Sequence, residues 1–254
     1  MSLPRTPSFR LDGKRALITG GTRGIGLAAA AALAEAGAAV TIAARTAGDI
    51  ESVVNQMADA GLAAEGVALD ITDSDVVRAF VNDVDPFQIL VNSAGMARHS
   101  AFADITAANY QAVMDLNLSA TLFVSQAVVA RLVAAGLPGS IIHVSSQMGH
   151  VAGPDRAVYA ASKFAVEGLS KAMAIELGAH NIRVNTVCPT FIETELTAAS
   201  LSDPAFRNWV LSKIKLGRLG RVEDIMGPIV FLASEAAALV TGTSLLVDGG
   251  WTAE

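Results

Sequence analysis

The stretch that most constrains this chain is Leu17-Ile18-Thr19-Gly20-Gly21-Thr22-Arg23-Gly24-Ile25-Gly26. A short apolar run, 15–20, ends in glycine, and a strong helix former, 25–37, follows at once and closes on Gly37. Gly20, Gly24 and Gly26 therefore lie between a strand and a helix mouth. Small residues permit a tight turn there and let backbone N–H groups approach a pyrophosphate, while the helix N-terminus adds partial positive charge. The spacing is G-x-x-x-G-x-G rather than the common dinucleotide fingerprint G-x-G-x-x-G. A glycine cluster alone also fits a plain tight turn. Its place near the start of a β-α-β chain predicts a dinucleotide site, with Thr22, Arg23 and Ile25 in the same turn.

The rest of the chain keeps that rhythm. Strand-like runs at 39–44, 63–69, 88–95, 140–146, 182–189 and 244–248 alternate with helix-like segments at 51–60, 73–84, 107–135, 157–178 and 222–234. The strand-like runs are apolar throughout, as expected where both faces of a sheet are covered. The pattern predicts an α/β fold, a doubly wound parallel sheet with helices on both faces, and one domain spanning 1–254. The least regular stretch, 190–221, reads as a helical flap over a site, with a surface insertion as the alternative.

The second strand bears on which dinucleotide binds. Chains that hold the ribose of NAD usually carry an acid at its end. Here that end reads Ala43-Ala44-Arg45, with no acid before Asp49. A guanidinium binds a 2′-phosphate that a carboxylate would repel. Arg45, with Arg23, therefore favours NADP(H) over NAD(H).

Several classes are excluded or disfavoured. The net charge of −6 and the lack of a basic run argue against nucleic acid. Cys188 is the single cysteine, so no intrachain disulfide forms, and with four scattered histidines a zinc cluster is not expected. The N-terminal segment lacks the apolar core of a secretory signal, and no apolar stretch is expected to span a bilayer. A cytoplasmic setting is the default.

The segment 145–163 carries the chemistry. A serine hydrolase would need a nucleophile elbow, G-x-S-x-G, which His-Val-Ser-Ser-Gln-Met-Gly lacks. Tyr159 and Lys163, at i and i+4, share a helix face. A phenol with its ordinary pKa near 10 is a poor base at neutral pH, and a nearby ammonium lowers that value. Tyrosine then becomes a general acid/base for hydroxyl–carbonyl interconversion, with a serine to hold the substrate oxygen. On its own, however, the Tyr-x-x-x-Lys spacing is common on helix surfaces.

Taken together, the ordered motifs resemble the short-chain dehydrogenase/reductase family from one end of the chain to the other. The resemblance implies a Rossmann fold with seven strands in the order 3-2-1-4-5-6-7 and an NAD(P)-dependent oxidoreductase acting on CH–OH groups. Asp70, followed by Ile71, matches the acid that holds the adenine. Asn92-Ser93-Ala94-Gly95 resembles the family's N-N-A-G, with Ser93 in place of an asparagine. Asn117 matches the asparagine linked to a proton-relay water. Ser146 takes the place of the catalytic serine and Tyr159 that of the acid/base. Lys163 matches the residue that lowers the tyrosine pKa and binds the nicotinamide ribose. Pro189, Ile192 and Thr194 match a carboxamide-binding segment in which Thr190 replaces a glycine. The two long helices and the C-terminus resemble association surfaces, implying a homotetramer.

Gln147, Met148 and His150 should line the substrate end, with Phe191, Leu196 and Trp209 as an apolar lid or as packing within the flap. This mixture suits a sugar, polyol or small ketone. A 3-oxoacyl carrier reductase is the alternative, disfavoured because only Arg131 and Lys171 are basic along the helix stretches 131–139 and 171–180. A non-catalytic cofactor sensor or interaction protein is the other, disfavoured because Ser146, Tyr159 and Lys163 are all present. No metal is expected.

Overall fold

A computed structural model describes residues 3–253. Seven parallel strands form one sheet: β1 (Arg15–Thr19), β2 (Ala39–Ala44), β3 (Ala64–Ala68), β4 (Ile89–Asn92), β5 (Gly139–Val144), β6 (Ile182–Pro189) and β7 (Ser244–Val247). Their order is β3-β2-β1-β4-β5-β6-β7, as the resemblance implies. The order reverses between β1 and β4, and ligands bind at the carboxyl ends of the strands at such a switch point.

Alternate residues of each inner strand feed different cores. On one face Ala16, Ile18, Val40 and Ile42 pack with α1 (Gly24–Glu35), α2 (Ala47–Asp59) and α9 (Glu223–Ala233). On the other, Leu17, Ala43, Leu90 and Ile141 pack with α3 (Ser74–Asp83), α5 (Ala120–Ala135) and α6 (Ala157–Leu177). Covering both faces explains the apolar inner strands. β3 departs from that expectation: Glu65, Gly66 and Ala68 are exposed, because an edge strand has only one neighbour to cover it. Helix α2 starts at Ala47, earlier than the 51–60 expected, with Asp49 in its first turn beside the N-terminal dipole.

The expected helix over 107–135 forms in three pieces: α4 (Ala107–Met114), a π-turn (Asp115–Ser119) and α5, which ends on the left-handed Gly136. This run corrects one expectation, since by length and composition it is apolar enough to cross a membrane, with mean hydropathy 1.6. Val124, Val128 and Leu132 are nonetheless buried against the sheet. The stretch 190–221 is helical, as expected, in α7 (Glu195–Leu201) and α8 (Pro204–Lys213).

Candidate active site

The glycine turn is as tight as its sequence suggests. Gly20 has φ +67°, and a Cβ there would lie 2.8 Å from Ala94 Cα; a Cβ on Gly26 would lie 2.1 Å from the Gly20 carbonyl oxygen. The Thr194 methyl comes within 3.5 Å of where a Cβ on Gly24 would be, so the start of α7 roofs this turn. Arg23 is exposed and pairs with Glu195 at 3.3 Å across the same gap. Such a pair contributes little in water. Arg45 is exposed at the end of β2 and helps hold the Asp70 carboxyl below its usual pKa, although hydrogen bonds from Thr72 contribute more. Ile71 is buried beside Asp70.

The next wall is the end of β4. Thr19 Oγ1 accepts from the backbone N–H groups of Ser93 and Ala94, which fixes the turn despite the Ser93 exchange. Asn92 donates to Ser125, and Ser125 and Ser170 bracket His143 at 3.2 and 2.8 Å. His143 is fully enclosed, and burial pushes its pKa down to about 4. The folded chain therefore keeps it neutral while the unfolded chain protonates it below about 6.5. Its stabilisation is complete above that pH and is lost as pH falls towards 4, by about 3 kcal/mol in all for the His143 pKa of about 4. Thermal unfolding followed from pH 7.5 to 4.5 should show the Tm falling across this window. His143→Gln should flatten that part of the fall.

Asn117 sits in the π-turn and is 1% exposed. Its amide is fully committed: Nδ2 donates to Met96 O and Ser162 Oγ at 2.9 and 3.0 Å, and Oδ1 accepts from Met96 N at 2.8 Å. The π-turn, a frequent device at functional sites, thus ties α4–α5 to the segment after Gly95. Gly95 in turn leaves room for Asn117 and for Lys163, whose Nζ would be 3.9 Å from an added Cβ.

Ser146, Tyr159 and Lys163 converge where β5 ends and α6 begins. Ser146 Oγ donates to Gln147 Oε1 at 2.7 Å and accepts from Met148 N at 3.0 Å. Lys163 Nζ donates to Val144 O at 2.9 Å and lies 5.7 Å from the Tyr159 ring centre. Burial lowers the Lys163 pKa to about 8. Burial also raises the phenol of Tyr159, whose hydroxyl is closely surrounded although its ring is only partly covered. Ser146 and Arg156 draw it part of the way back down.

A cleft of about 80 Å³, partly open to solvent, runs past Ser146 and Tyr159. Gln147, Met148, Phe191 and Leu196 line it as expected, together with His99, Arg156 and Thr190. Trp209 packs on Phe206 of the flap and on Trp251, in line with the packing alternative. One expected lining residue lies elsewhere. His150 turns to Glu167 and Cys188, at 3.7 and 3.5 Å, because a buried carboxylate offers it a partner. No sequence signal marks that cluster, since its members come from three separate segments. Burial pushes the Cys188 thiol up to about 12, and it donates to Glu167. Nor is Thr190 strained: among the described residues only Asp155 and Asn181 are non-glycine residues with positive φ.

Sequence reasoning also missed His99 and Arg156. Arg156 stands three residues before Tyr159, and a cation so close to a candidate acid/base was the available signal. Burial and the adjacent Arg156 push the His99 pKa down to about 4.

The glycine cradle, which any added Cβ would fill, and the orphaned hydroxyl of Thr190 fit a dinucleotide. Comparisons with known proteins agree. A family model described as enoyl-(acyl carrier protein) reductase matches residues 20–252. D-Erythrulose reductase of Gallus gallus is 44% identical over 245 residues, covering 96% of this chain and 98% of the relative. Gluconate 5-dehydrogenase of Gluconobacter oxydans is 37% identical, covering 96% of each chain. The crystal structure of a gluconate 5-dehydrogenase from Burkholderia cenocepacia with NADP and tartrate superposes with a TM-score of 0.94 at 39% identity, covering 97% of this chain and 98% of that one. On this evidence the chain belongs to the short-chain dehydrogenase/reductase family, whose members named here are sugar-type oxidoreductases acting on CH–OH groups.

Proposed function

We propose that this enzyme uses NADP(H) to interconvert a secondary alcohol and a ketone on a small polyhydroxy substrate, with Tyr159 as general acid/base. The observation that carries the reading is that Ser146 and Tyr159 share one cleft, with Lys163 Nζ 5.7 Å from the Tyr159 ring centre. Gly20, Gly24 and Gly26 would hold the pyrophosphate, Asp70 the adenine, and Thr194 with Ile192 the nicotinamide end. When bound, the nicotinamide supplies or accepts the hydride.

The side chains do the rest. The raised phenol keeps Tyr159 protonated at neutral pH, ready to give its proton to a carbonyl oxygen. Ser146 would turn its hydroxyl from Gln147 to that oxygen, which frees Gln147 Oε1 to accept from a substrate hydroxyl. Lys163, tied to Val144, would keep its ammonium beside Tyr159 for the ribose hydroxyls. Asn117 holds the Met96 segment and so the wall behind Lys163. Residues 190–221 would act as the flap, with Phe191 and Leu196 over the substrate.

The carrier-protein alternative is weakened further because Arg131 already donates to Val84 O at 2.9 Å. The relatives, named for erythrulose and gluconate, support a sugar-type substrate. The NADP found with one of them supports the assignment of Arg45 to the 2′-phosphate. Following NADPH and NADH oxidation with a ketose panel tests both points. Arg45→Ala should raise the KM for NADPH by about tenfold or more and change that for NADH little. An unchanged preference would overturn the cofactor assignment.

A further inference from the structure

The cleft contains a cation that no carboxylate touches among the described residues, although the exposed Asp155 acts on it from a distance. Arg156 is 8% exposed and lies on the same wall as Ser146, Gln147 and Tyr159. Among the described residues its side chain makes hydrogen bonds only from Nη1, to the imidazole of His99. Nε is buried without a partner. No carboxylate forms an ion pair with it among the described residues, and the adjacent Asp155 is exposed. The guanidinium stacks on Phe191 and Phe206, its Cζ 5.3 and 5.2 Å from the ring centres. His99 cannot supply the missing charge, because it accepts from Arg156.

A buried cation is costly unless an anion meets it, and an orphaned N–H adds the cost of desolvation. The stacked rings hold the guanidinium plane in place, and Nη2, which makes no hydrogen bond among the described residues, is the donor left to meet a carboxylate. An acid bound there would share the cleft with the phenol, since Arg156 and Tyr159 both line it.

We infer that Arg156 is a carboxylate-binding residue and that the substrate is a polyhydroxy acid, with its carboxylate a few carbons from the reacting oxygen, rather than a neutral sugar or polyol. The inference rests on the proposed oxidoreductase reading. It goes further by choosing between the substrate classes that the relatives' names leave open.

The test uses pairs of substrates that differ only in the charged end: gluconate against sorbitol, and threonate against threitol, with NADP⁺ and absorbance at 340 nm. The wild type should prefer the acids in kcat/KM by about tenfold or more. Arg156→Gln should raise KM about thirtyfold more for the acids than for the alditols, while any loss that acts through the Tyr159 phenol falls on both classes alike. Arg156→Lys should recover part of the loss. Gluconate should also raise the Tm of the NADP-loaded wild type and not of Arg156→Gln, a readout independent of turnover. Three results would overturn the inference: alditols turned over as well as acids; equal KM losses for both classes in Arg156→Gln, as expected of a clasp that only joins α6 to the flap; or no Tm response to gluconate in the wild type. Turnover of alditols alone would sink the carboxylate assignment and leave the oxidoreductase intact. If NADP binds but no alcohol or ketone of either class reacts, the oxidoreductase reading itself fails.

Discussion

Tyr159→Phe is expected to lower turnover by about 10²–10⁴-fold and to leave NADPH affinity within about twofold of the wild type. Phenylalanine keeps the ring and its edge-on contact with His99, with ring centres 6.2 Å apart, and removes only the hydroxyl proposed to move the proton. Loss of kcat with unchanged cofactor binding by fluorescence titration would locate the defect in proton transfer. A variant that turned over near the wild-type rate would end the acid/base assignment. The wild type has a matching pH signature. Because burial holds the phenol protonated, ketone reduction should be flat through neutrality and fall on the alkaline side, as Tyr159 loses its proton.

The second large effect is at the glycine turn. A Cβ on Gly26 would sit 2.1 Å from Gly20 O and 2.8 Å from Gly20 C, both backbone atoms that no rotamer change can move. Gly26→Ala should therefore push the first turn of α1 away from β1, destabilising the fold by roughly 3 kcal/mol and sharply weakening dinucleotide binding. Chemical denaturation and NADPH titration measure the two losses separately. As a control, Gly48→Ala adds a Cβ with nothing within 4 Å and should have little effect on either.

The fold was largely legible because its signals are local and repeated. Apolar runs, alanine-rich helices and glycine at chain reversals mark β1, α1 and β2 almost to the residue. The edge strand β3 was legible in position but not in exposure, because burial depends on a neighbour that the sequence of β3 does not encode. The long run 107–135 was legible as a helix. Its π-turn was not, because that turn is set by what Asn117 reaches across the fold, Met96 and Ser162. In the site, motif order was enough to name Ser146, Tyr159 and Lys163 as neighbours. His150 went astray because a histidine in a loop takes whichever partner the fold presents, here Glu167 on α6 and Cys188 on β6. Arg156 was overlooked because an arginine at a helix start reads as a solvated cap. Only the packing of Phe191 and Phe206 reveals that it is buried.

The most direct measurement of the central claim is absorbance at 340 nm with purified wild-type protein, NADPH or NADH, and small ketoses and keto acids. The account predicts NADPH oxidation with at least one of these carbonyl substrates, faster than NADH oxidation with the same one. Tight NADPH binding with no oxidation across the whole set would contradict it.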